Sequence, residues 1–276
     1  MSASPSPSIL PFAPQPSASA LAQALGIPVF SPHWHMPQYP DGAVGPWQVK
    51  RTGVGLDRGY HSGPCVTSGS TVLMRQSAAG GWETWMSLSP MEVESQELAC
   101  RHARGHTVVM GLGMGWVAAN IALQPTVERV TVVERDGDVL ELFGRCRVLE
   151  GLPESAARKI ELVQADALEW QPQGAPVDFL YADIWLYLAE PQTLAEVQRM
   201  QANAHADQVY FWGQELVLGA MASAQAAPGT PAWADAVDRA VRETGLPLLA
   251  QADEGYANLI ARVLQLRSQG RNPAST

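Results

Sequence analysis

Apolar positions along this chain change period several times, and each change marks an element. His106-Thr-Val-Val-Met110 is a continuous run of β-branched and apolar residues, the pattern of a strand buried on both faces of a parallel sheet. Gly111, Gly113 and Gly115 alternate after it, and residues 117–123 read as a helix that stops before Pro125. Residues 129–134 form a second run of this kind, and 159–164, 176–182 and 208–213 form a third, fourth and fifth. Between them Val139, Leu142, Phe143 and Cys146 fall at helical spacing behind Asp136, a natural cap. Residues 191–205 and 231–244 also read as helices. Residues 247–251 and 257–266 read as a closing pair of strands. The alternation predicts an α/β fold: a Rossmann-like, doubly wound, mostly parallel seven-stranded sheet over residues 90–267.

The N-terminal third has a different texture. Residues 47–54 and 70–76 have strand composition, and Ala78-Ala-Gly-Gly81 turns into 82–87, which predicts a hairpin. Residues 27–89 are therefore expected to form a small β-rich segment. Residues 90–102 then read as a helix, with Pro90 early and Glu92 and Glu94 in the first turns. Val93, Leu98 and Cys100 supply its buried stripe, which leaves Glu92, Glu94, Gln96 and Glu97 as a solvated face. A helix leading directly into the nucleotide strand can also hang polar side chains over the pocket, and Gln96 is kept as a candidate contact. Residues 1–26 are Ser-, Pro- and Ala-rich and are expected to be disordered, apart from a short helical turn at 21–25. Residues 268–276 read as tail.

Composition narrows the function classes. The net charge of −9 and the absence of a basic run argue against nucleic acid, whose affinity rests on clustered Lys and Arg. The longest apolar stretch, 108–123, is glycine-rich and too short for a membrane span. No Lys or Arg precedes Lys50, so a secretory signal is not expected, and the expected compartment is cytoplasmic. Cys65, Cys100 and Cys146 have neither CxxC spacing nor an even count, so they read as reduced thiols. His33-Trp-His35 would share one strand face, but no Cys, Asp or Glu stands at ligand spacing, and no metal is expected.

The chemistry gathers at the carboxyl ends of the parallel strands. Strand, glycine turn and helix let a nucleotide approach the backbone at a helix N-terminus. Glu134 ends the second strand, 19 residues beyond Gly115, where an acidic group accepts from ribose hydroxyls. Asp166 follows the third strand and Asp183 the fourth. A nicotinamide cofactor is the competing reading, but its G-x-G-x-x-G fingerprint wants glycine where Trp116 stands.

Gly111-x-Gly113-x-Gly115, Glu134-x-Asp136, Ala165-Asp166-Ala167 and Asp178-Phe-Leu-Tyr-Ala-Asp183 resemble, in order, the motifs of class I S-adenosylmethionine (SAM) dependent methyltransferases. The details are closest to the spermidine-synthase-like branch, with its small β domain before the nucleotide-binding sheet. The resemblance covers about residues 92–190. It implies that Gly111, Gly113 and Gly115 give the backbone room for the cofactor's amino-acid part and sugar, and that Glu134 holds the ribose. It also implies that Asp166 accepts from the adenine amino group, with Ala167 offering a backbone N–H, and that Asp183 is the catalytic group facing the substrate. Aminopropyl-transferring relatives carry acids where Met114 and Leu186 stand here, so polyamine synthesis is disfavoured. Many methyltransferases also carry an acid where Val109 stands. Orientation is the larger part of catalysis in methyl transfer. Aromatic walls suit a cationic sulfonium, and Trp185 is the residue nominated for the substrate pocket. The expected activity is methyl transfer from SAM to a small molecule. Aminopropyl transfer and a non-catalytic SAM-binding module are the alternatives, and homodimerisation is left open.

Overall fold

A computed structural model describes residues 17–249 and 255–270. Its centre is a five-stranded sheet, entirely parallel, built from β7 (Gly105–Met110), β8 (Val127–Glu134), β9 (Ile160–Gln164), β10 (Phe179–Ala182) and β11 (Val209–Phe211). The spatial order is β11-β10-β7-β8-β9. The chain runs outward from β7 through β8 to β9, returns to lay β10 on the other side of β7, and ends at β11. Strand order therefore reverses between β7 and β10, the place where open α/β sheets leave a crevice at their carboxyl ends. The four residues of β10 are all buried, as are five of the six in β7, which is why these strands read as unbroken apolar runs.

Helices α2 (Pro90–His102), α3 (Trp116–Ala122), α4 (Gly137–Arg145), the short α5 (Glu154–Ala157), α6 (Thr193–Ala204), α7 (Gln214–Ser223), α8 (Trp233–Glu243) and α9 (Tyr256–Gly270) surround the sheet. Capping sets two of their starts. Ser89 Oγ accepts from the Glu92 N–H, with Pro90 in the first turn, and Asp136 accepts from the Asp138 N–H at 2.9 Å. Before α2 stand α1 (Ala18–Leu25), β1 (Gly42–Val44), β2 (Trp47–Arg51), β3 (Gly55–Arg58), β4 (Pro64–Thr67), β5 (Thr71–Gln76) and β6 (Trp82–Ser87). Four of these strands form an antiparallel sheet in the order β1-β2-β5-β6, and β3 pairs with β4. The four-stranded sheet packs on α4. Trp47 Nε1 donates to Asp136 Oδ2 at 2.9 Å, and Arg145 donates to the Ala43 carbonyl at 3.3 Å.

Several expectations are corrected. The parallel sheet has five strands among the described residues, not seven. Residues 257–266 belong to helix α9, in which Ile260, Val263 and Leu266 are buried at a three-residue interval, a helical spacing. Of residues 247–251, Leu248 makes one isolated parallel bridge to Val209, and 250–251 lie outside the described residues. Helix α7 was not expected, because strand 208–213 leads straight into it through Gly213 at φ +84°. Residues 18–25 are helical and packed against β4, within the segment read as disordered; residues 1–16 of that segment lie outside the described residues. Residues 268–270 of the expected tail continue α9, and 271–276 lie outside the described residues. His33 and Trp34 form a bend rather than a strand. Cys65, Cys100 and Cys146 are buried free thiols. No helix among the described residues is long and apolar enough to cross a membrane.

Candidate active site

A cavity of about 740 Å³ opens at the sheet reversal, within the ~300–1,000 Å³ range of small-molecule sites. Its floor is made by the ends of β7 and β10. The Gly111 N–H donates to the Val133 carbonyl and the Asp183 N–H to the Met110 carbonyl, both at 2.8 Å, locking the two turns together. Gly111 has φ +97°, and a Cβ there would overlap the Asp183 carbonyl oxygen. Glycine is thus demanded by the neighbouring chain as well as by any ligand.

The structure brings most of the sequence candidates to this one cavity: Gly111, Gly113, Glu134, Asp166, Ala167, Asp183 and Trp185 all line it. Gly115 does not. It sits at the N-terminus of α3 with φ +75°, and the Phe143 ring occupies the space its Cβ would need. The space beside Gly113 is likewise taken by Met86 of β6. At these two glycines the direction a Cβ would take is filled by protein atoms, so packing within the chain demands glycine there.

Glu134 is pinned at the lip of β8. Its Oε2 accepts from the Leu112 N–H at 3.1 Å and its Oε1 from the Asp136 N–H at 2.9 Å, and each oxygen keeps a further lone pair. Asp166 is exposed, with Oδ1 accepting from the Leu168 N–H at 2.8 Å and Oδ2 without a partner among the described residues. Asp136 is drawn the other way, capping α4 and holding Trp47, so its structural role is filled.

Asp183 is a half-buried carboxyl of the floor. Gln96 Nε2 at 3.0 Å and the Tyr181 hydroxyl at 3.2 Å both donate to its Oδ2, and Oδ1 has no partner among the described residues. Burial pushes its pKa from 3.8 up to about 7, against the pull of those two donors. Gln96 is itself 1% exposed, and its Oε1 is buried without a partner. Glu92 lies in the same floor. Its Oε2 accepts from the Ser87 backbone N–H and, at 2.5 Å, from the Ser87 hydroxyl. Burial raises it to about 8, opposed by those hydrogen bonds, with Asp183 and Asp57 adding to the rise.

Trp185 is 7% exposed and forms part of the wall, its Nε1 donating to Glu196 Oε2 at 2.5 Å; Trp116 and Trp212 complete that side. The opposite wall comes from the antiparallel sheet. The Arg75 guanidinium stands 5.3 Å from the Trp47 ring and 5.4 Å from the Trp85 ring, and the two indoles meet edge to face. Seven carboxyl groups and two arginines, Arg75 and Arg135, line the cavity, so its balance favours a cationic ligand.

Sequence reasoning missed Glu92, Glu196, Arg75, Trp47 and Trp85. Glu92 fits a solvated helix face by spacing, but it turns back to Ser87 at the end of β6 and lines the cavity. The placement of Gln96 over the pocket was legible, because α2 leads directly into β7.

No protein-family model matches the chain, and no curated protein matches it. Solved structures to which it is similar include the methyltransferase domain of bacterial CtHen1, at 16% identity over 44% of this chain and 61% of that one, TM-score 0.34. The glycopeptide N-methyltransferase MtfA, solved with S-adenosyl-L-homocysteine, is similar at 20% identity over 41% of this chain and 42% of that one, TM-score 0.31. The 23S rRNA methyltransferase ErmE is similar at 19% identity over 42% and 45%, TM-score 0.32. The chain spans less than two thirds of the length of each. Likeness of this extent carries no weight for what the chain does.

Proposed function

We propose that the chain binds SAM in this cavity and transfers its methyl group to a small molecule bearing a nucleophilic nitrogen. One observation carries the reading: Asp183 and Gln96, joined through Gln96 Nε2 and Asp183 Oδ2, both line the floor, and neither Asp183 Oδ1 nor Gln96 Oε1 has a partner among the described residues. A nitrogen with two N–H groups satisfies both, where a hydroxyl offers one hydrogen.

The residues present fit the cofactor. Glu134 keeps lone pairs on both oxygens for the ribose hydroxyls, and Asp166 keeps Oδ2 for the adenine amino group, with Ala167 beside it. The carboxyl-rich lining suits a positive sulfur. When bound, SAM supplies a methyl carbon made electrophilic by that sulfur. The chain's part is to align the nitrogen, exclude water with Trp185 and Trp212, and take the proton the nitrogen sheds onto Asp183. With a pKa near 7, Asp183 is poised to accept it at neutral pH.

The spermidine-synthase-like branch belongs to this proposal. An antiparallel sheet ahead of the parallel one, forming a cavity wall, supports it. Aminopropyl transfer is disfavoured by Met114, which is buried behind the glycine turn, and by the apolar Leu186 in the wall.

Calorimetric titration with SAM, decarboxylated SAM and NAD tests the reading. Micromolar binding of SAM, weakened by Glu134→Ala and Asp166→Ala, is expected. Preference for decarboxylated SAM would move the reading to aminopropyl transfer, and NAD binding alone or silence from all three would end it. Release of S-adenosyl-L-homocysteine with a panel of amines but not phenols is the expected turnover result. Loss of that release in Asp183→Asn, with SAM affinity kept, separates an enzyme from a binding module.

A further inference from the structure

Behind the cavity floor lies a polar cluster that the proposed chemistry does not use. Glu215, at the start of α7, is 0% exposed, and no Lys or Arg pairs with it among the described residues. Three tyrosine hydroxyls surround its carboxyl. Tyr60, from the turn after β3, stands 3.1 Å from Oε2; Tyr256 of α9 stands 2.8 Å from Oε1; Tyr210 of β11 stands 3.1 and 3.2 Å from the two oxygens.

A proton count decides the charge of this group. The Tyr256 hydroxyl accepts from Gln214 Nε2 at 2.8 Å and donates to Glu215. Tyr60 donates to Oε2. The Tyr210 hydroxyl has one hydrogen but faces two acceptors, the Glu215 carboxyl and, at 3.1 Å, the Ser95 carbonyl. If Glu215 is ionised, one of those contacts sets lone pair against lone pair in a dry interior. If Glu215 carries a proton, it donates that one hydrogen to Tyr210 and Tyr210 donates to Ser95, so each pair of groups is joined by a hydrogen. We infer that Glu215 is a neutral carboxylic acid in the folded protein and a positioning residue for the Asp183–Gln96 floor.

The path to the floor is short. The Ser95 carbonyl that Tyr210 then holds lies on α2 next to Gln96, which donates to Asp183. Ser95 Oγ accepts from the Trp212 Nε1 at 2.8 Å, fixing a cavity wall to the same turn. The Tyr210 ring stacks on Tyr181 at 5.9 Å and 16°, and Tyr181 donates to Asp183. Burial raises the Glu215 pKa, opposed by its backbone and tyrosine hydrogen bonds. The ionisable groups around it are Tyr60, Tyr210 and Tyr256, with Tyr181 acting on Tyr210 and Arg267 of α9 acting on Tyr60. The protonation state stands by itself; what Glu215 positions rests on the proposed reading of the floor.

Two measurements test the inference on the full chain. The first is urea unfolding of the native protein and Glu215→Gln between pH 5 and 8. The amide reproduces one donor and one acceptor, so Glu215→Gln is expected to unfold at the same or a higher midpoint than the native protein, with its lead growing as pH rises. A neutral acid in the fold is ionised by unfolding, so stability present below the ordinary glutamate pKa is lost as pH rises towards the raised one. A Glu215→Gln midpoint lower at every pH would mean an ionised Glu215 and overturn the inference. The second is the pH profile of S-adenosyl-L-homocysteine binding. Tyr210→Phe is expected to shift its midpoint by half a pH unit or more, with Glu215→Gln leaving it in place. A Tyr210→Phe profile that superimposes on the native one overturns the positioning role. If the native protein does not bind this ligand, the reading of the cavity and the positioning role fall together, and the unfolding result still decides the protonation state.

Discussion

Asp183→Asn separates stability from chemistry at one atom. In the folded protein, burial raises the Asp183 pKa from 3.8 to about 7, so above neutral pH the fold carries the cost of an ionised, half-buried carboxylate. At ~1.36 kcal/mol per pKa unit, a rise of about three units corresponds to about 4 kcal/mol. The carboxyl of Glu92 shares the floor and its titration is tied to this one, so about 2–4 kcal/mol is the working range. Asparagine keeps the acceptor that Gln96 and Tyr181 use and removes the charge. The sign follows from linkage: with the folded pKa raised, stability is fully present below about pH 4 and is lost as pH rises to about 7. Asp183→Asn is therefore expected to match the native protein near pH 4 and to exceed it by about 2–4 kcal/mol at pH 8. Urea unfolding followed by tryptophan fluorescence at the two pH values reads this directly. An Asp183→Asn protein no more stable than the native one at pH 8 would falsify this account of the carboxylate. Activity is expected to move the opposite way, since a group kept at a cost to stability is the signature of a functional site.

Three further outcomes follow from the geometry. Gly111→Ala would force a Cβ onto the Asp183 carbonyl at a positive φ, and a loss of about 3 kcal/mol or more is expected in thermal unfolding, with no rescue by any cavity ligand. Trp47→Phe removes the indole donor to Asp136, so the antiparallel sheet should dock on α4 less tightly by about 1–3 kcal/mol; unchanged protease resistance before α2 would count against that bond. Glu134→Gln keeps the shape but weakens acceptance from ribose hydroxyls, and about a tenfold or larger loss of SAM affinity is expected by calorimetry, with equal affinity arguing that the ribose lies elsewhere.

What the chain states locally, it states well. Each parallel strand is an apolar run because it is buried on both faces, and that run is visible without any partner. Ser89-Pro90 and Asp136 announce their helices because a cap needs only a few neighbouring residues. Glu134, Asp166 and Asp183 were legible because the carboxyl end of a parallel strand is also the crevice edge, so a position in sequence is a position in the site. Where apolar residues are β-branched and close together, as in α9, the period was ambiguous and the strand reading failed. Tertiary structure alone decided the rest. Glu92 came to line a cavity because the parallel and antiparallel sheets enclose one, and Arg75 entered it because the antiparallel sheet packs against α4. The space beside Gly113 and Gly115 went to Met86 and Phe143 for the same reason. The Glu215 cluster joins residues from position 60 to position 256. Burial, and with it the charge of a carboxyl group, is set by what packs around it, and no local pattern carries that information.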